Sequence, residues 1–438
     1  MKLIVALVCC LSASAQVSVY KEFTLIDGLG GNPLPHAAMV VNAAGRIDWV
    51  GPVAQLKAPQ GVPVTDLSGK FVMPGIINLH GHVSITSGFI QNPRKFFTRA
   101  GVEANLRLYA QYGVTSVASL GTDQAPLVYQ IRDEQRNGRP VYTRIFTAGK
   151  GFTGPAGYPA VVPGMENTIN EVSTPAQAVA AVDELATHHP DLVKIWVDDH
   201  LGQDAKIPIS ISSAIIQAAH KHGLKVVAHV FYLEDAKQLA AAGINGFVHS
   251  VRDKPVDDEL IRLMKQHGTW QVAATLEREA SMFIYGSPPP FLNDPFFMRA
   301  VSSEILATLK SVEYQKKLVS DPDFAKYPQF LQTAKRNLKR EADAGIRYGF
   351  GTDSGTPGRF PGYAEHWEAQ LMVEAGLTPL QVITAATKSA AEFLGAKDLG
   401  TIEKGKWADF LILSANPVAD IRNTRSIDSV FIAGNRFK

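Results

Sequence analysis

Short, almost wholly apolar runs recur along most of the chain, and many end abruptly in a polar residue or beside glycine and proline. The clearest are residues 75–80, 114–120, 145–148, 192–197, 225–229, 246–249, 270–276 and 347–353. Runs of this kind suit strands buried on both faces, as in a parallel sheet. Helix-like stretches such as 212–222 and 233–242 fall between them. Alternation of the two over roughly 330 residues predicts an α/β fold, a parallel (β/α)8 TIM barrel spanning residues 71–399. The flanking segments have a different texture. Residues 20–25, 38–42 and 47–50 are β-like pieces broken by Gly30, Gly31, Gly45 and Gly51, and residues 410–413 and 429–434 match them in character. Segments 16–70 and 400–438 are therefore expected to join as one small β-sandwich domain.

Two connections stand out. Residues 149–170 are rich in glycine and proline. Roughly 70 residues separate the seventh and eighth strands, far beyond the usual 2 to 6 for such loops even with a helix added. This insert begins with an aromatic stretch containing Phe283, Tyr285 and Phe291. It is read either as a lid over the site or as a surface helical insertion with its own apolar cluster. Residues 328–342 within it have the pattern of an amphipathic helix with proline in its first turn.

The candidate chemistry sits at the ends of the runs. His80 and His82 flank Gly81, and residues two apart on a strand point the same way, so both imidazoles can reach one cation. His229, His249 and Asp353 end three further runs. Lys194 lies inside the otherwise apolar run 192–197, where an unpaired ammonium would be costly. One histidine at a strand end is usually a satisfied core residue. The ordered series His, His, Lys, His, His, Asp on successive strands is hard to explain by packing.

That series resembles the metal-dependent amidohydrolase superfamily, in particular its bacterial imidazolonepropionase-like and prolidase-like branch. The stretches carrying the resemblance are VMPGIINLHGH at 72–82, GVTSV at 113–117, GTDS at 351–354, EAGLTP at 374–379, AAT at 385–387 and GTIEKGKWAD at 400–409. It implies a two-metal site: His80, His82 and Asp353 on the more buried ion, His229 and His249 on the more exposed one, and Lys194, carboxylated by carbon dioxide, between them. A carbamate would explain the lysine by turning a buried cation into a shared anion. Oxygen and nitrogen donors without thiolate suit zinc, with manganese and cobalt as alternatives. The implied reaction is hydrolysis of a carbon–nitrogen bond, of a dipeptide or an N-acyl amino acid, by a hydroxide bridging the metals, with Asp353 moving the proton. Tyr232 and Arg252, just after the fifth and sixth strands, are candidates for holding substrate, Arg252 through a carboxylate.

Other readings compete. Cyclic amides and lactones fit the same chemistry. A mononuclear deaminase of the superfamily would carry glutamate where Tyr232 stands and would leave Lys194 without purpose. A metal- or solute-binding protein on the same scaffold would need no catalytic Asp353.

Composition narrows the partners. With 46% hydrophobic and 19% charged residues in 438 and a net charge of +2, the chain has ample core, and it shows no basic cluster suited to nucleic acid. No apolar run beyond the N-terminal segment approaches the roughly 20 residues of a membrane span. A small-molecule substrate is expected, and a homo-oligomer stays open. Residues 1–15 read as a signal peptide: Lys2, an apolar run from 3 to 11, then Ala13, Ser14 and Ala15 before Gln16. Export to the periplasm or medium follows. The only cysteines, Cys9 and Cys10, lie in that segment, so a chain cut after Ala15 has neither disulfide nor thiol chemistry. The remaining histidines, His36, His188, His189, His200, His220, His222, His267 and His366, lack strand-end placement and are read as mostly surface groups.

Overall fold

The computed structural model describes residues 17–299 and 301–438, so the expected signal peptide lies outside the described residues. Seven of the eight expected strands carry parallel ladders: Ile76–Gly81, Val114–Ser119, Arg144–Thr147, Val193–Val197, Val226–Val230, Gly246–Phe247 and Trp270–Gln271. Two short strands, Phe152–Thr153 and Asn170–Glu171, extend the second group and come from the glycine- and proline-rich connection. Helices such as Ile209–Lys221 and Leu233–Ala241 follow the strands and cover them, with Ile211, Ile215 and Leu239 buried against Val226 and Ala228. The result is a TIM-barrel-like α/β fold.

Residues 347–353, the eighth expected strand, make only single parallel bridges, Gln271↔Tyr348 and, one residue further on, Gly81↔Ser354. Their hydrogen bonds still join the two groups of strands, from Gly349 N to Gln271 O (3.0 Å) on one side and from Leu79 N to Phe350 O (2.8 Å) on the other. Glycine makes this approach feasible. A Cβ on Gly351 would stand 2.7 Å from His80 N, and one on Gly355, whose φ is +90°, would stand 1.8 Å from His82 O. The seventh strand is shorter than expected: Thr275 adopts a left-handed backbone and Leu276 opens the helix Leu276–Ile284, whose sequence LEREASMFI is rich in helix formers.

The two ends of the chain meet in one eight-stranded sheet. Its order is Asn435–Arg436, Ile427–Ile432, Phe410–Leu413, Phe71–Pro74, Ser18–Leu25, Leu34–Val41 and Ile47–Pro52, with Val64–Asp66 also beside Ser18–Leu25. The ladder is continuous, so the two segments join through one hydrogen-bonded sheet. Phe71–Pro74, grouped with the barrel on sequence, belongs to this sheet, because it pairs antiparallel with Phe410–Leu413 before the chain turns at Gly75 into the first parallel strand.

The long insert is helical, and its later part forms Tyr327–Asp343 where an amphipathic helix was expected. The aromatics of its first part form a small core of their own. Phe291 packs edge-on to Phe297 and beside Tyr363 and Trp367, and the Tyr285 hydroxyl donates to Gly358 O at 2.7 Å. These rings pack mainly on one another and on the helix Tyr363–Glu374. Among the described residues no helix is long and apolar enough to cross a membrane.

His366 departs from the surface reading. It is buried in the helix Tyr363–Glu374, with Nε2 2.8 Å from Tyr112 O and Nδ1 2.8 Å from Thr424 Oγ1, tying that helix to the second strand's approach and to the C-terminal segment. Burial pushes its pKa down to about 3. The unfolded chain takes up a proton below about 6.5 that the folded chain refuses until about 3, so stability is full above the former value and falls with pH below it. Denaturant melts from pH 7 to pH 4 should show this group contributing a loss of up to about 1.4 kcal/mol per pH unit. His366→Gln should flatten the slope by that amount, and an unchanged slope would exclude the assignment.

Candidate metal centre

All six residues expected around the metals are buried, five of them at or just past the carboxyl ends of the strands and Lys194 nearer the start of its own. His80 ends the first strand, Lys194 sits in the fourth, His229 in the fifth, His249 follows the sixth, and Asp353 lies on the glycine-bounded return segment. Asp353 Oδ1 is 3.0 Å from His82 Nε2 and 3.3 Å from His80 Nε2. Lys194 Nζ is 3.4 Å from His80 Nε2. The His249 ring lies 4.9 Å from that of His80 and 3.9 Å from that of His229. The donor atoms of His80, His82 and Asp353 all fall within 4.8 Å of one another, close enough for a single cation.

Each imidazole has one nitrogen engaged by a neighbouring group of the protein. His80 Nδ1 donates to Val248 O (2.9 Å), and His82 Nδ1 meets Thr122 Oγ1 (2.9 Å). His249 Nδ1 meets Thr275 Oγ1 (2.7 Å), and His229 Nε2 donates to Asp198 Oδ2 (2.7 Å). Outer partners of this type orient a metal-binding ring and settle which nitrogen carries the proton. His249 Nε2 is buried with no hydrogen-bond partner among the described residues. An orphaned neutral nitrogen beside three other imidazoles and a carboxylate is a donor set that fits a divalent cation.

The electrostatics agree with that fit. Burial drives His80 and His249 well below the ordinary histidine range and His229 to about 3, so these rings are neutral. Burial also lowers Lys194 to about 7, against the pull of Asp353, which makes an unprotonated amine accessible near neutrality. Burial alone would raise the Asp353 carboxyl, but the Arg359 guanidinium, with the hydrogen bond from His82, outweighs it and holds the group well below the usual carboxylate range.

Several of these supports escaped the sequence reading. Arg359 Nη1 donates to Asp353 Oδ2 at 2.9 Å. Asp198, in the Asp198-Asp199 pair just past the fourth strand, was visible as an acidic strand end. Glu365 is fully buried three residues after Gly362 and accepts from Asn78 Nδ2 (2.6 Å), Thr352 Oγ1 (2.9 Å), Ser354 Oγ (2.6 Å) and Gly362 N (2.6 Å). Asn78 Oδ1 in turn accepts from His80 N (2.9 Å), so this one carboxylate ties the strand of His80 to the segment of Asp353.

The two expected substrate contacts divide. Arg252 is buried and lines a cavity of about 230 Å³ that abuts the centre at Asp198. Tyr232 is half-buried, but its hydroxyl donates to Asp199 Oδ1 (2.7 Å) and Lys206 lies over its ring, so it faces away from that cavity's wall. Its neighbour Phe231 lines the cavity instead. Tyr158, from the glycine- and proline-rich connection, places its ring 5.7 Å from that of His229.

Residues 71–437 match the sequence model of the Amidohydrolase family. The imidazolonepropionase of Deinococcus deserti is 24% identical over 92% of this chain and 92% of its own length. A provisional prolidase from Bifidobacterium longum superposes with a TM-score of 0.72 at 25% identity, covering 96% of this chain and 94% of that one. A Xaa-Pro dipeptidase crystallised with methionine in its active site gives a TM-score of 0.74 at 22% identity, covering 97% and 100%.

Glu365 provides the test of this geometry. Glu365→Leu removes the acceptor that four buried donors share and should cost more than about 3 kcal/mol in a denaturant melt. Glu365→Gln should cost less yet weaken zinc binding by about 10- to 100-fold, as measured by competition with a chelator. A Gln variant with unaltered zinc affinity would reduce Glu365 to a packing role.

Proposed function

Because this chain belongs to the amidohydrolase family, a membership that makes it an enzyme acting on carbon–nitrogen bonds of small molecules, we propose that it hydrolyses the amide bond of a dipeptide or N-acyl amino acid at a centre of two divalent cations. The observation that carries the reading is the anchoring of all four imidazoles, each through one nitrogen, together with the close-set donors of His80, His82 and Asp353. In the proposed assignment His80, His82 and Asp353 hold one ion, His229 and His249 the other, and a carbamate on Lys194 is shared. Zinc suits these donors. Such ions, when bound, supply Lewis acidity and lower the pKa of water.

The remaining chemistry is that of the chain itself. Lys194 meets the first requirement of carboxylation, since burial lowers its amine to about 7 against the opposing pull of Asp353. Asp353 has its Oδ2 held by Arg359, which keeps the group ionised and leaves Oδ1 toward the histidines. From there it accepts the proton of the attacking water and returns it to the leaving nitrogen as the carbon–nitrogen bond breaks and the carbon–oxygen bond forms. Burial of the whole cluster excludes bulk water and strengthens each of these interactions. Export through the N-terminal segment, residues 1–15, is part of the same proposal.

Two measurements test the reading. After reconstitution with zinc and bicarbonate, metal analysis should find two ions per chain, and Lys194→Ala should lose activity that short carboxylic acids partly restore. One ion or none in the parent protein would refute the two-metal assignment. Asp353→Asn should lower kcat by about 100- to 10,000-fold with a much smaller change in KM. Near-parental turnover in that variant would remove Asp353 as the proton carrier.

A further inference from the structure

Amide hydrolysis builds negative charge on the carbonyl oxygen as the tetrahedral carbon forms, and a hydrogen-bond donor fixed beside that oxygen lowers the barrier. The centre itself is short of free donors. Thr122 Oγ1 is engaged with His82, Thr275 Oγ1 with His249, and Thr352 Oγ1 and Ser354 Oγ donate to Glu365. Tyr232 donates to Asp199, and the Arg359 guanidinium is turned to Asp353, Thr356 and Ser281. Ser250 Oγ has no partner among the described residues, but the protein encloses it.

Tyr158 differs from all of these. It is half-buried in the glycine- and proline-rich connection 149–170, and its hydroxyl makes no hydrogen bond among the described residues. Its ring stands 4.0 Å from that of His200 and 5.7 Å from that of His229, on the side of the centre built by the fourth and fifth strands. Among charged groups, the one that acts most on its hydroxyl is Asp353, which comes from segment 347–355, ahead of Arg278, Arg359 and Asp198. The phenol therefore reaches from His229 toward Asp353. Burial, with Asp353 adding to it, raises its pKa above the ordinary phenol value, so near neutral pH the hydroxyl keeps its proton and can donate it.

Two features hold the ring in place. At Gly157 a Cβ would stand 2.5 Å from Thr153 Oγ1 and 3.0 Å from Ala205 O, so the connection is pressed onto the loop after the fourth strand, with which Gly157 also forms a parallel bridge at Ala205. His200, which backs the ring, is fixed from both ends: its N–H donates to Asp198 Oδ1 (3.1 Å), and its Nδ1 lies 3.0 Å from Asp204 Oδ2. Asp198 accepts from His229 through its other oxygen (2.7 Å), so one carboxylate sets the spacing between the centre and the ring that supports Tyr158.

We propose that Tyr158 is a catalytic residue whose hydroxyl donates a hydrogen bond to the carbonyl oxygen of the scissile amide, and that His200 is a positioning residue that backs its ring. The proposal rests on the reading of the site as a hydrolytic metal centre. Tyr158 transfers no proton: its O–H bond stays intact while the carbon–oxygen bond forms, the carbon–nitrogen bond breaks and the water's proton travels through Asp353. Its hydrogen bond strengthens as the oxygen gains charge, so it acts on turnover more than on binding.

Zinc-reconstituted enzyme, a dipeptide panel and the phosphinic analogues of those dipeptides test this. Tyr158→Phe keeps the ring, so its melting curve and metal content should match the parent's, while kcat falls about 100- to 1,000-fold with little change in KM. Calorimetry should show the phosphinates, tetrahedral and anionic at the reacting position, losing affinity for this variant in step with kcat/KM. His200→Ala should lower kcat by a smaller factor, and His200→Phe, which keeps a ring against Tyr158, should recover most of it. Turnover by Tyr158→Phe near the parent's, with Asp353→Asn inactive, overturns the role of Tyr158 and leaves the hydrolytic reading intact. If no dipeptide is turned over, the hydrolytic reading falls and the phosphinates still decide on Tyr158. Equal affinity for parent and variant, or binding to neither, overturns it, and weaker binding to the variant keeps the hydroxyl as the donor to the oxyanion.

Discussion

The close seating of segment 347–355 against the strand Ile76–Gly81 is the constraint on which the rest depends. Four backbone hydrogen bonds, from Leu79, His82, Thr352 and Asp353, stitch the two together. Glu365 draws Asn78, Thr352 and Ser354 onto one carboxylate. With the approach set by glycine at 351 and 355, His80, His82 and Asp353 reach a spacing that three side chains on separate elements would otherwise reach only by chance. Strand pairing thus does the work that a preformed ligand cage needs, and the cost of ordering the ligands is met in folding rather than in binding.

Around that seam the charges follow a consistent logic. Burial strips three of the imidazoles of their protons and lowers the lysine, so the basic groups are present as donors of electron pairs instead of as repelling cations. The one carboxylate among them stays ionised because Arg359 stands behind it. On the far side of Asp198, Arg252 and Arg278 both pair with Glu279 beside a cavity that Asp321 and Asp323 also line. The imidazole cluster and the arginine-bearing wall of the cavity therefore meet at Asp198, which holds His229 and lines the cavity.

What could be seen in the sequence were the features that leave a local trace. His80 and His82 share a face because strand period is two, and Lys194 announces itself by standing among Leu192, Val193, Ile195 and Trp196. The alternation of apolar runs and helical stretches carried the arrangement of strands for the same reason. Residues whose role comes from long-range packing leave no such trace. Arg359 and Glu365 sit in an unremarkable loop and helix start, and only the fold brings them to Asp353 and Asn78. Arg278 and Glu279 look like ordinary exposed residues of the helix Leu276–Ile284, yet both are buried. Tyr232 shows the opposite failure: it follows a site strand closely, but its hydroxyl pairs with Asp199. His366 lacked a strand end and proved to be a buried tie between elements distant in sequence.

The terminal sheet places the origin and the end of the fold side by side, and this has a bearing on when the site can exist during synthesis. Phe71–Pro74 pairs with Phe410–Leu413 and leads directly into the strand of His80. His82 and Asp353 are 271 residues apart. At translation rates of about 5 to 20 residues per second, on the order of 15 to 55 s pass between the appearance of the two. Throughout that interval the paired histidines are tethered to a strand that lacks both of its late partners. A nascent chain can offer a passing cation two loose imidazoles but no cage, so metal selection is deferred to a polypeptide that is already whole.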